Sequence, residues 1–331
     1  TMHYTEIGST GVKVSRVCLG TVFRSEPPEA DCIRTIHHAA DRGINFFDVA
    51  NLYRNGFSEE ILGKAMAGRR DQFIMTTKVG SPSPDQPSVQ GLSYDAIMLA
   101  VEGSLKRLNT DYIDFYLCHF PDPAAATEET LRAMDDLVQQ GKVRFPGCSN
   151  FEGWRLGESL MLCDQKGYAP YRCHQLLFNL LDRRCEDEII PYCAGRGIGV
   201  TVFAATAIGL LSGRYRYGQP PPKGSSWERG PYNFRAAMTR RTGAVIDAVT
   251  QIAEQHGTSP TEVAMAWCLS RPGITAVIIG ADTPAYVDDA VGAGDVVLSG
   301  ADLERLDAIS AGVRMSVRKD CPDGYQEEEG C

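Results

Sequence analysis

The stretch SYDAIMLAVEGSLKRLNTDYIDFYLCH, residues Ser93 to His119, contains one complete structural unit. Ile97, Val101, Leu105 and Leu108 recur at helical spacing and fall on one face. Ser93, preceded by Leu92 and three residues ahead of Ala96, stands where an N-cap belongs. Ile113 to His119 follows as a run too short for a helix and apolar on both alternating faces, as a parallel strand buried on both sides must be. A helix feeding directly into a doubly buried strand is the repeat of a parallel α/β fold.

Seven more runs of this kind lie on either side: Val17 to Gly20, Ile44 to Phe47, Phe73 to Lys78, Val143 to Ser149, Cys173 to Phe178, Ile198 to Ala204 and Ala276 to Gly280. Between them, Ile33, Ile36 and Ala40, then Leu131, Met134 and Val138, then Val245, Ala248 and Ile252 mark further one-faced helices. Gly43, Gly68, Gly141 and Gly257 stand where left-handed C-caps are expected. Thr127 is followed by Glu128 and Glu129, whose charges suit a helix N-terminus. Tyr4 to Glu6 and Lys13 to Ser15 flank a turn at Gly8 to Gly11 and predict a short N-terminal hairpin.

Eight strand-helix units with no change of composition predict an α/β protein, a closed (β/α)8 TIM barrel, as one domain over residues 1–331 with a C-terminal tail from 312 to 331. An open doubly wound sheet is disfavoured, because the first run leads into Gly20, Thr21 and Val22 and not into a GxGxxG turn. Two connections, Gly80 to Gly91 and Tyr215 to Arg235, exceed the usual length. On a barrel both belong to the C-terminal face, where substrate lids are built.

Composition narrows the function. The chain is 43% hydrophobic and 23% charged over 331 residues, ordinary for a soluble enzyme with a filled core. A net charge of -9 leaves no positive field to gather phosphate backbones, so nucleic acid is not an expected partner. Gly197 to Gly213, the longest apolar stretch, is broken by Gly199, Thr201, Thr206 and Gly209 and falls short of the ~20 apolar residues of a membrane span. Thr1 to Ser9 has no basic or apolar leader region. None of the 11 cysteines forms a CxxC pair, and Cys18, Cys118, Cys148 and Cys173 lie inside apolar runs, so a reduced, cytoplasmic chain is expected. Cys321 and Cys331 flank a polar segment, where an unstructured tail is the simpler reading and a bridge the sharper one. His37 and His38 adjoin without a ligand partner at i+4, so no metal is expected. No feature sets an oligomeric state.

Barrel enzymes carry their reactive groups at the C-terminal ends of strands. Here those ends hold Asp48, with Tyr53 five residues on, then Lys78, His119, Ser149 and Asn150, and His174 and Gln175. Such a set suits carbonyl reduction. A tyrosine hydroxyl titrates near ~10, and an adjacent ammonium, which Lys78 could supply, lowers that value. Asp48 would hold Lys78 and balance its charge, while His119 would orient the substrate oxygen. Tyr53 would be the acid in reduction and the base in oxidation. Singly, each has a plain structural reading: a helix cap, a solvated strand end, a core histidine, a packed aromatic. Their coincidence at successive strand ends argues for chemistry.

The segments Gly43-Ile44-Asn45-Phe46-Phe47-Asp48, the Tyr53 that follows, Lys78, Cys118-His119, Gly147-Cys148-Ser149-Asn150-Phe151 and Gly209-Leu210-Leu211-Ser212-Gly213-Arg214-Tyr215 resemble the aldo-keto reductases. The resemblance runs from about Tyr4 to Leu306 and is strongest to the branch of bacterial general-stress reductases and potassium-channel β subunits. It implies a catalytic tetrad of Asp48, Tyr53, Lys78 and His119. It implies that Ser149, Asn150 and Gln175 hold the carboxamide of a nicotinamide, with Phe203, where the family usually has Tyr, stacked on the ring. Leu210, Gly213 and Arg214 would meet the pyrophosphate, and Gly20 and Thr21 are counted with the cofactor contacts.

After the last strand this chain departs from the family pattern, with Gly280, Asp282, Tyr286 and Asp289 at the expected adenosine contacts. NADP(H) is the family habit. A carboxylate at Asp282 would instead repel a 2′-phosphate and accept from a ribose hydroxyl, which argues for NAD(H). Asp282 has a structural reading too, as a cap for the helix opened by Thr283 and Pro284. The expected function is an NAD(P)-dependent oxidoreductase that moves a hydride between nicotinamide and a small-molecule carbonyl or alcohol. The alternatives are a nucleotide-binding regulatory subunit with little turnover and an internal-redox isomerase or lyase that retains NAD. Phe23, Val79, Phe120, the two long connections and Trp227 are the candidate pocket walls.

Overall fold

The computed structural model describes residues 2–315. An antiparallel hairpin, β1 (Tyr4–Glu6) and β2 (Lys13–Ser15), precedes the eight parallel strands of a closed barrel. These are β3 (Val17–Gly20), β4 (Phe46–Asp48), β5 (Ile74–Val79), β6 (Ile113–Cys118), β7 (Val143–Ser149), β8 (Cys173–Leu177), β9 (Gly199–Phe203) and β10 (Ile274–Gly280). They pair in chain order, and β10 closes on β3 through Val277 to Gly280 against Val17 to Gly20. The helices are α1 (Glu29–Asp41), α2 (Phe57–Met66), α3 (Tyr94–Leu108), α4 (Thr127–Gln139), α5 (Gly153–Lys166) and α6 (Ile189–Gly195). They continue with α7 (Ser226–Arg229), α8 (Phe234–Ala237), α9 (Arg240–His256), α10 (Pro260–Leu269), α11 (Pro284–Asp288) and α12 (Gly300–Ser310).

The unit at 93–119 forms as its sequence dictates. The Ser93 side chain accepts from the Ala96 N–H to start α3, Asn109 ends it in a left-handed conformation, and all six residues of β6 are buried. Inside the barrel, Phe46, Phe115, Leu117, Cys173, Ala276 and Ile278 pack with Ile7, Val12 and Val14, so the hairpin plugs the N-terminal end. The plug sits tight: a Cβ on Gly8 (φ +55) would lie 2.3 Å from the Gly197 carbonyl oxygen. A second, larger apolar cluster lies between the strands and the surrounding helices.

Two segments and three expected pocket residues differ from expectation. The run at 44–47 yields a strand only from Phe46, because the Ile44 N–H closes α1 on the Ala39 carbonyl and the Asn45 side chain is spent on Ser15 and Lys13 of the hairpin. The connection 215–235 is not plain loop but carries α7 and the start of α8. Trp227, expected to line a pocket, is buried, donates its indole N–H to the Ile208 carbonyl and packs between Tyr232 and Phe234. Phe23 and Val79 are likewise core residues, whereas Phe120 is half-exposed.

At the C-terminal side Arg314 bridges to Asp182 and the Met315 N–H donates to the Leu181 carbonyl; Cys321 and Cys331 lie outside the described residues. Nine described cysteines are free and buried. No described helix is long and apolar enough to cross a membrane.

Candidate active site

The strand ends at the C-terminal mouth bring Asp48, Tyr53, Lys78 and His119 together. Lys78 on β5 is fully buried, and its ammonium donates to three oxygens: Asp48 Oδ1 at 2.8 Å, the Val49 carbonyl at 2.9 Å and the Tyr53 hydroxyl at 3.1 Å. The second oxygen of Asp48 accepts from Thr76 and from Gln175 Nε2 at 2.7 Å, so the carboxylate is held from β5 and from across the barrel on β8. Thr76 lies two residues before Lys78 and therefore points to the same side of the sheet. It belongs to the site and was missed because a threonine within an apolar run reads as strand propensity.

Tyr53 is carried by a short 3-10 turn, Tyr53–Gly56, in which Arg54 (φ 49°), Asn55 (φ 53°) and Gly56 (φ 84°) are all left-handed. Two of these are not glycine, so the turn stores backbone strain directly beside the hydroxyl. Arg54 fixes it by donating to the Pro27 carbonyl at 3.1 Å and lying over the Phe57 ring. His119 meets Tyr53 edge-on at 6.0 Å, stacks on Phe120 at 4.5 Å and has no partner on Nδ1.

Burial pushes Tyr53 above its ordinary value, and Lys78 offsets this only in part. This corrects the expected net lowering: desolvation of a phenolate outweighs one neighbouring ammonium. Burial pulls Lys78 down, but Asp48 and Tyr53 together leave it raised. Burial, reinforced by the charge of Lys78, takes His119 down to about 3, so its imidazole is neutral at pH 7.

The residues expected to meet a dinucleotide form two groups. Around the tetrad, Ser149 and Gln175 are buried and Asn150 (φ 60°) donates to the His119 carbonyl and to Ser149 Oγ, both at 3.0 Å. The amide nitrogens of Asn150 and Gln175 are thus engaged within the protein, and their carbonyl oxygens have no partner among the described residues. Phe203 ends β9, half-buried. Gly20 ends β3, and Thr21 is turned inward, its N–H and hydroxyl both donating to the Asp48 carbonyl.

The second group lies after β9 and β10. Ala204, Ala207, Ile208, Gly209 and Gly213 all have positive φ, and Leu210 is buried between them. Arg214 is exposed, 5.6 Å above the Tyr286 ring and 3.4 Å from its hydroxyl. Gly280 leaves open space where a side chain would stand. Asp282 does not cap the next helix, whose N-cap is Thr283; it accepts the Ser25 N–H at 2.8 Å and ties the connection after β3 to that after β10. Asp289 is turned away to Thr261, 3.1 Å from its hydroxyl. Arg24 and the Tyr232 hydroxyl, 2.9 Å apart, join the connections after β3 and β9, a contact with no signal in the sequence.

Comparison with known proteins agrees with this architecture. Residues 16–311 match the model of the aldo/keto reductase family. The chain is 33% identical over 323 residues to the uncharacterized oxidoreductase YrpG of Bacillus subtilis (strain 168), covering 94% of this chain and 97% of that one. It is 31% identical to a probable voltage-gated potassium channel subunit beta of Arabidopsis thaliana, covering 89% and 92%. It is 32% identical to the aldo-keto reductase YhdN of Bacillus subtilis (strain 168), covering 87% of each chain. A family match across nearly the whole barrel, with relatives aligned along most of both chains, makes this protein a member of the aldo/keto reductase family and an oxidoreductase.

Proposed function

We propose that this oxidoreductase is NAD(P)(H)-dependent and interconverts a small-molecule carbonyl and its alcohol, with Tyr53 as general acid and base. The Lys78 ammonium, held 3.1 Å from the Tyr53 hydroxyl by Asp48, carries the proposal. The nicotinamide, when bound, supplies or takes the hydride. The donor set fits such a group: the Asn150 and Gln175 carbonyl oxygens can accept from a carboxamide, Phe203 offers a flat face, and Arg214 with the left-handed backbone around Gly209 suits a pyrophosphate. Asp282 keeps a carboxylate beside the last strand, which favours a ribose hydroxyl over a 2′-phosphate and brings NAD(H) level with NADP(H).

In reduction, neutral His119 orients the substrate oxygen and Tyr53 gives it a proton from its hydroxyl. Lys78 stabilises the phenolate left behind, and Asp48, braced by Thr76 and Gln175, keeps the ammonium from turning away. Oxidation runs the same proton back to the Tyr53 oxygen. Leu52 and Phe120, each about half-exposed and next to Tyr53 and His119 in sequence, offer apolar contact to the substrate body.

Parallel fluorescence titration with NADPH and NADH, followed by turnover on an aromatic aldehyde with Tyr53→Phe as control, tests this. Binding of at least one nucleotide and turnover lost by about a hundredfold or more in the variant are expected. No binding would end the proposal. Binding without turnover would favour a nucleotide-holding regulatory subunit, a role suggested by the names of the channel-subunit relatives.

A further inference from the structure

Behind β5, on the side away from the barrel interior, lies a buried ion pair that the proton-transfer chemistry does not use. Glu59 of α2 is fully buried, and its carboxylate accepts from Thr77 Oγ1 at 2.6 Å and from Arg107 Nε at 2.8 Å. Thr77 precedes Lys78, and neighbouring strand residues face opposite sides, so the pair grips the strand that carries the ammonium. A second arm of the same guanidinium, Nη1, donates to Asp85 in the connection 80–91. The Tyr53 turn rests on it as well: a Cβ on Gly56 would lie 2.8 Å from Pro84 Cγ and 2.9 Å from Arg107 Cδ. The connection 80–91 in turn flanks the site on both sides. Its Ser81 carbonyl accepts from Asn51, two residues before Tyr53, and the Leu92 N–H just after it donates to Asp122, three residues past His119.

Arg107 thus reaches the strand of Lys78 through Glu59, and itself touches the turn of Tyr53 and the connection between Tyr53 and His119. Stability alone does not explain it, since a buried pair is often matched or bettered by apolar residues of equal volume. We infer that Arg107 is a positioning residue that sets the connection 80–91 and the Tyr53 turn in one geometry for substrate, an inference that rests on the reading of Tyr53 and Lys78 as the proton-transfer pair.

Asp85→Asn removes the charge from the outer arm alone, at a carboxylate more than half exposed, and leaves Glu59 and Arg107 paired. It is expected to speed amide hydrogen exchange in 80–91 about two- to fivefold, the worth of a partly exposed ion pair, and to raise KM for the aldehyde by a similar factor with kcat unchanged. Arg107→Lys keeps the charge but cannot supply two separate N–H arms, so exchange should rise in 53–57 as well and kcat should fall. Either wild-type exchange in 80–91 or a wild-type KM in Asp85→Asn overturns the inference. The exchange comparison needs neither a folded Arg107→Lys nor any turnover. An enzyme that fails on every carbonyl therefore sinks the reductase reading, and the exchange in Asp85→Asn still decides whether Arg107 restrains the connection.

Discussion

Neutral His119 sets the pH behaviour of the site. With its imidazole titrating at about 3, it carries no proton to lose in the working range, and the proposed proton donor is Tyr53, held above its ordinary value by burial. The reactive form in reduction is the protonated phenol, so the rate falls only as pH rises through that raised value. For reduction, kcat/KM should be flat from about pH 5 to about pH 10, the ordinary tyrosine value, and decline only above it. His119→Gln should lower kcat/KM by about a hundredfold, as loss of a positioned hydrogen bond does, without changing the shape of the profile. A limb near neutrality that disappears in the variant would show His119 titrating and contradict this assignment. The four grouped side chains were legible because each ends or follows an apolar run. Thr76 and the Gln175–Asp48 bond were not, since a hydrogen bond across a barrel joins positions 127 residues apart along the chain.

At the level of elements, strands and helices could be read, but the destinations of the connections could not. Asp282 illustrates the limit: sequence offers a ribose contact or a helix cap, and the structure replaces the cap with a tether from one carboxylate oxygen to Ser25, because β10 and β3 close the barrel side by side, while the ribose contact stays a proposal. Trp227 is another case, an aromatic in a long connection that turns inward to bond the Ile208 carbonyl. Ile208 immediately precedes the Gly209 to Arg214 segment proposed for the pyrophosphate, so this anchor should be felt at the nucleotide. Trp227→Ala is expected to make 215–235 sensitive to limited proteolysis and to weaken nucleotide binding about tenfold, with the rate at saturating nucleotide nearly unchanged. Deleting a buried tryptophan is worth about 3–5 kcal/mol, and a long connection with little regular structure of its own cannot absorb that loss without opening. Proteolytic resistance and affinity equal to wild type would mean that the segment is held by other contacts.

For the molecule as a whole, the barrel excludes protons from two histidines. His174, next to Gln175 on β8, has Cys193 Sγ 3.7 Å from Nδ1 and no partner on Nε2; like His119 it is brought down to about 3 by burial. Unfolded histidine titrates near ~6.5. Between these values the unfolded chain binds more protons than the folded one, so stability rises with pH across that window and is lost as pH falls through it. At pH 5 each histidine should cost about 2 kcal/mol relative to neutral pH, together a large share of the ~5–15 kcal/mol that holds a typical domain. Urea unfolding at pH 7.5 and pH 5.0 measures the loss, and carboxylates add to it equally in wild type and in a variant that leaves them alone. His174→Asn should therefore be less sensitive to acid than wild type by about 2 kcal/mol, whatever it costs at pH 7.5, because only the difference between the two pH values carries the proton. An identical pH difference in both proteins would mean that the barrel admits a proton at His174, and that its missing Nε2 partner is solvent.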